Sequence, residues 1–103
     1  MRIDVLSIPG CPNGPLSLER VHDAVKKSGV IDAEVQATLV VDSDGAVAVG
    51  MHGSPTILID GRDPFAEFGT VPSISCRLYR TANGPQGCPT VAELIDVIRA
   101  DDR

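Results

Sequence analysis

Cys11, Cys76 and Cys88 are the residues of this chain best suited to covalent chemistry. A thiol reacts as its thiolate, and the positive end of a helix favours that form. Cys11 stands where such help is expected. It follows a short apolar run closed by Pro9-Gly10 and opens the stretch Cys11-Pro12-Asn13-Gly14-Pro15, after which helical spacing begins. Those turn residues set the approach to the helix, and Gly14 is expected to leave space beside the sulfur. Cys76 alternates with Ile74 and Leu78, a pattern that points it into the core. Cys88 falls in the loop Gly84-Pro85-Gln86-Gly87-Cys88-Pro89.

Other motifs are weaker. His52 could stabilise a thiolate or join a metal site near Cys11, whereas His22, between Val21 and Asp23, reads as a surface residue. The odd number of cysteines and their spacing match neither a disulfide framework nor the paired Cys-x-x-Cys ligands of structural zinc. Asp42-Ser43-Asp44-Gly45 lacks the third acid and closing Glu of a calcium loop and reads as a turn. The sequence has no glycine-rich phosphate loop and no serine hydrolase motif.

The elements that must position these residues follow from periodicity. Residues 2–8 read as a strand, and Leu18, Val21 and Val25 mark the buried stripe of a helix from Pro15 to Ser28, with Lys26 and Lys27 in its last turn and Gly29 beyond. A second strand is expected over Ala33 to Val41, a short helix over Ala46 to Met51, and a central strand buried on both faces over Thr56 to Ile59. A loop from Arg62 to Ser73 leads to an edge strand in which Ile74, Cys76 and Leu78 face inward. Val91 to Arg99 completes the chain as a helix, with Thr90 and Glu93 as its capping box. The order is β-α-β-(α)-β-β-α. It predicts one α/β domain over residues 1–103, with a four-stranded mixed sheet flanked by helices, the first two strands parallel and the last two antiparallel.

Composition narrows the partners. With 103 residues, 43% hydrophobic and 22% charged, the chain has the balance of one globular domain. A net charge of −5 argues against nucleic acid and anionic membrane surfaces. No run approaches the roughly 20 apolar residues of a membrane span, and Asp4 with Pro9-Gly10 interrupts any secretion signal. The expected location is the cytoplasm, where thiols stay reduced.

The element order, the Cys11-Pro12 turn and the Gly53-Ser54-Pro55-Thr56 entry into the third strand resemble the thioredoxin superfamily in its compact, glutaredoxin-like form. More narrowly, residues 53–63 and 75–81 resemble a bacterial group of small thioredoxin-like proteins and selenoproteins, some labelled alkylmercury lyase. The resemblance makes Cys11 the nucleophilic cysteine, Pro55 the cis-proline that faces it, and Gly14 the occupant of the second-cysteine position. It implies substrate contacts at Pro12, Asn13 and Gly14 and at Ser54, Pro55 and Thr56. It also keeps Cys76, a cysteine followed by arginine, as a candidate for the resolving thiol or a second soft-metal ligand. In that topology the loop holding Cys88 returns to the Pro55 end of the sheet, which allows a Cys11–Cys88 disulfide, while Arg62 and Asp63 lie at the other end as structural pairs.

Three functions follow. The first is a monothiol thiol-disulfide oxidoreductase with no cofactor, acting on a disulfide-bearing protein or low-molecular-weight thiol, in which Cys11 attacks and Cys88, Cys76 or an external thiol resolves. The second is a protein binding mercury or another soft metal, or a lyase of organomercurials. The third is a catalytically silent domain that holds an extended peptide around Pro55.

Overall fold

The computed structural model describes residues 1–102. Its centre is β1 (Arg2–Ser7), which pairs in parallel with β2 (Glu34–Leu39) and antiparallel with β4 (Thr56–Ile59). Between β1 and β2 the chain crosses over through α1 (Asn13–Ser28), the helix expected from its apolar stripe, beginning two residues earlier than Pro15. Pro15 is tolerated there because the first N–H groups of a helix have no carbonyl partner within it. Gly29 closes α1 in the left-handed conformation.

Alternation in the strands divides the core. Ile3, Val5, Ile57 and Ile59 meet Val21 and Ala24 of α1 and Leu94 and Ile98 of α3 (Val91–Asp101). Leu6 and Leu58 turn to the opposite face and pack with Val40, Ala46 and Met51, which brings in α2 (Ser43–Val49). The Asp42 to Gly45 turn is the start of α2, with the Asp42 carboxylate accepting the Gly45 N–H at 2.7 Å. Thr90 and Glu93 cap α3 reciprocally, as their spacing predicts.

The second half departs from expectation. The main sheet is three-stranded, in the order β2-β1-β4, with β1 and not the Thr56–Ile59 strand in the middle. Ahead of β4, β3 (His52–Ser54) pairs in parallel with β5 (Ser73–Cys76), so the expected antiparallel partner of the third strand is absent among the described residues. β6 (Tyr79–Thr81) and β7 (Gly84–Gln86) form a hairpin in place of the expected loop. The alternation over Ile74 to Leu78 fails for a physical reason. The chain leaves β5 at Arg77, whose guanidinium turns in to a buried carboxylate, and Tyr79 takes the next inward position. Cys76 and Leu78 are therefore exposed and Tyr79 is buried, the reverse of the expected faces.

β2 is largely exposed, with Leu39 at its end open to solvent, and Phe68 stands fully exposed in the loop before β5.

Candidate functional site

The turn between β1 and α1 is held by its own backbone. Cys11 N donates to Ile8 O at 3.2 Å, and Gly14 N donates to Cys11 O at 3.2 Å. Pro12 occupies the N-cap position without a side-chain cap, so Cys11 immediately precedes the helix start. The thiol is half-buried, at a groove of about 450 Å³ lined by Pro12, Gly14, Ile8, Leu18, Ala37 and Leu39 among others. This surface is predominantly apolar. It suits an uncharged stretch of substrate better than an ion.

Gly14 does not leave the space expected beside the sulfur. A Cβ there would lie 2.6 Å from Ser7 Oγ and 2.9 Å from Ser7 Cβ, so Ser7 already fills the volume a second cysteine would need. Asn13 turns away from the groove, and its side chain occupies the place where a Cβ at Gly87 would stand. That contact seats the loop before α3 against the start of α1. Cys88, next in that loop, is only 2% exposed.

The Ser54–Pro55 peptide bond is cis. Ser54, Pro55 and Thr56 are buried and do not line the Cys11 groove. Ser54 Oγ accepts the Ile8 N–H at 3.0 Å, tying this turn to the turn that carries Cys11. Thr56 Oγ1 donates to Gly53 O at 2.6 Å and accepts from His52 N at 2.9 Å. Gly53 has φ of +104°, and a Cβ there would lie 3.0 Å from both Arg77 Cβ and Ser75 O, so conformation and close approach both require glycine.

Behind this turn lies an ionic cluster not apparent from the sequence. Asp63, whose side chain is 1% exposed, accepts Arg77 Nη1 at 2.7 Å and lies 2.7 Å from His52 Nδ1. Arg77 also donates to Phe65 O at 3.1 Å, and its backbone N–H donates to Ser54 O at 3.1 Å. Its guanidinium carbon lies 4.4 Å from the centroid of the Tyr79 ring, which meets Phe65 edge-on. Tyr79 in turn donates its hydroxyl proton to Pro55 O at 2.5 Å. Burial raises the Tyr79 phenol above its ordinary range, against the opposing pull of Arg77, so it remains a donor at neutral pH.

This arrangement corrects two expectations. His52 serves the Asp63 cluster and lines a separate cleft, away from the Cys11 groove. Asp63 is a structural pair as expected, but the loop carries it back against the elements that flank Pro55. Arg62 pairs with Asp101, and His22 is exposed. Among the described residues no three His, Cys, Asp or Glu side chains converge as metal ligands. The signal missed in the sequence was the opposite charges of Asp63 and Arg77 on either side of a long loop.

A protein described as "Probable Thioredoxin" from Methanothermobacter marburgensis is 36% identical over 62 residues, covering 59% of this chain and 72% of that protein. Another of the same description, from Methanothermobacter thermautotrophicus, matches with the same identity and coverage. The chain belongs to the thioredoxin-like family. Within this thioredoxin-like protein, the Cys11 turn and the cis-Pro55 turn are joined directly through Ile8 and Ser54. No protein-family model matches the chain, and no solved structure does.

Proposed function

We propose that this protein is a thiol-disulfide oxidoreductase of monothiol character, with Cys11 as the nucleophile. The observation that carries the reading is the placing of Cys11 at the start of α1, on an apolar groove and beside a turn built around cis-Pro55. The Cys11 thiolate attacks one sulfur of a disulfide. The bond between the two substrate sulfurs breaks, one substrate thiolate leaves and takes up a proton, and the other stays on Cys11 as a mixed disulfide. A second thiol then releases the bound half.

With Gly14 in place of the second cysteine and Ser7 filling the space beside it, that second thiol does not come from the helix. The groove favours a disulfide with apolar flanking groups. The test is reduction of a low-molecular-weight disulfide in the presence of excess thiol, comparing the protein with Cys11→Ser. Catalysed reduction that falls to the buffer background in the variant supports the reading. Equal rates for both proteins would overturn it and favour a domain that only binds.

A further inference from the structure

We propose that two copies of this chain associate through the open edge of β2 to form one continuous sheet across a two-fold axis, a pairing that stands whether or not Cys11 is the nucleophile. β2 pairs with β1 on one side and, among the described residues, with no strand on the other. Glu34 N donates to Met1 O at 2.8 Å and Val40 N donates to Ser7 O at 2.8 Å, so the even-numbered residues of β2 turn their backbone groups toward β1. That direction alternates along a strand, which turns the N–H and C=O groups of Val35, Ala37 and Leu39 out to the open edge.

Exposed strand edges are ordinarily blunted by a charged side chain, a proline or a bulge. From Val35 to Leu39 the strand has none of these, and its register with β1 is unbroken. Its apolar side chains share one face. Val35 packs against the core beneath α1, while Ala37 and Leu39 line the Cys11 groove with Leu18. Leu39 is 65% exposed, and Val41 just beyond it is 73% exposed. Open backbone groups and uncovered apolar surface therefore lie together along one edge.

A second copy fits this edge because the strand is complementary to itself. A two-fold axis perpendicular to the sheet makes the two β2 strands antiparallel and keeps both α1 helices on the same side. Centred on Ala37, it sets Ala37 opposite Ala37 of the second copy and Leu39 opposite Val35 of the second copy. Within Glu34–Leu39 this is the one register in which all the outward residues of each strand meet outward residues of the other, each pair exchanging both N–H···O bonds. Opposed side chains share a face, so Leu39 meets Val35 on the α1 side and Gln36 meets Thr38 on the other. Glu34, the charged residue of β2, falls at opposite ends of the seam in the two copies. Val35 of the second copy then extends the wall of the Cys11 groove beyond Leu39. A peptide from another protein would have to supply this alternation, which the second copy carries in its own strand.

The experiment measures the mass of the full chain by sedimentation equilibrium across a range of concentrations, with reductant present to exclude links through cysteine. The native chain is expected to reach twice the 10.8 kDa of one copy. Ala37 is exposed, so a charge there is compatible with the folded chain, but the two-fold places it against its own image. Ala37→Glu and Ala37→Lys are each expected to stay at the mass of one copy with unchanged circular dichroism, and an equimolar mixture of the two to regain the doubled mass. Amide exchange at Val35, Ala37 and Leu39 should be slow in the native chain and fast in either variant alone. A native chain that remains a single copy at every concentration, an Ala37→Glu variant that still doubles, or a mixture that stays single would overturn the pairing. So would a single-copy native chain whose β2 amides become protected only when an apolar peptide is added, which would give the edge to a peptide partner.

Discussion

The two turns that meet at the candidate site are held in opposite ways. The Cys11 turn relies on two backbone hydrogen bonds of its own and on Ser54. The Pro55 turn is clamped by side chains from three separate segments: Thr56 within it, Asp63 from the following loop, and Arg77 and Tyr79 from beyond β5. Charge is concentrated around the Pro55 turn, and the thiol side is apolar and sparsely tied. The difference teaches that the Cys11 turn leans on a neighbouring turn that is itself fastened from several segments, so changes to that neighbour should register in stability first.

The largest expected effect breaks the comparison on the thiol side. Cys11→Ser is expected to abolish disulfide reduction while shifting stability by no more than about 0.5 kcal/mol, because it removes one sulfur from a half-buried position. Activity assays paired with urea titrations would read both. On the clamped side, Asp63→Ala leaves the Arg77 guanidinium, 11% exposed, without its carboxylate, and is expected to cost about 3–5 kcal/mol in denaturant unfolding. A loss under 1 kcal/mol would show that the clamp is ornamental.

A third change sharpens the contrast. Gly14→Cys restores the helix thiol but collides with Ser7, and is expected to cost about 1–3 kcal/mol. Adding Ser7→Ala should recover most of that loss and allow a disulfide between Cys11 and the introduced thiol, detectable by mass after mild oxidation. The smallest effect comes from Tyr79→Phe, on the order of 1 kcal/mol at neutral pH for the hydrogen bond to Pro55 O. Its signature is alkaline. Because burial raises the phenol above its ordinary 10.0, the folded state holds that proton more tightly than the unfolded chain. The Tyr79 contribution is therefore complete below about pH 10 and is lost as the pH rises further. The Phe variant should lack this part of the alkaline fall in stability.

The first half of the fold and the place of Cys11 were legible in the sequence because they depend on local signals. Helical spacing from Leu18 to Val25, the Thr90 and Glu93 box and the Asp42 cap each act within a few residues of themselves. The second half was not, because long-range satisfaction of a buried charge overrides local alternation. Ile74, Cys76 and Leu78 read as a buried stripe only while Arg77 is assumed to face water. Once Asp63 is buried it requires a cation, Arg77 turns inward, and Leu78 and Tyr79 exchange the expected faces. Asn83-Gly84 was a legible hairpin signal for β6 and β7 that the surrounding glycine and proline residues obscured. At the site, the missing volume beside Gly14 belonged to Ser7, a residue seven positions upstream whose role only the crossover reveals.

The exposed Phe68 loop has a consequence for how the chain would survive being cut. Asp63 and Glu67 precede Phe68, Arg77 and Arg80 follow it, and the pairs Asp63–Arg77 and Glu67–Arg80 bridge the segment from one side to the other. A protease that favours aromatic residues should nick the chain at Phe68, giving two bands under denaturing conditions and one undivided species under native ones. The loop tip would then be dispensable as a covalent connection, with the ion pairs at its base acting as a latch between two fragments.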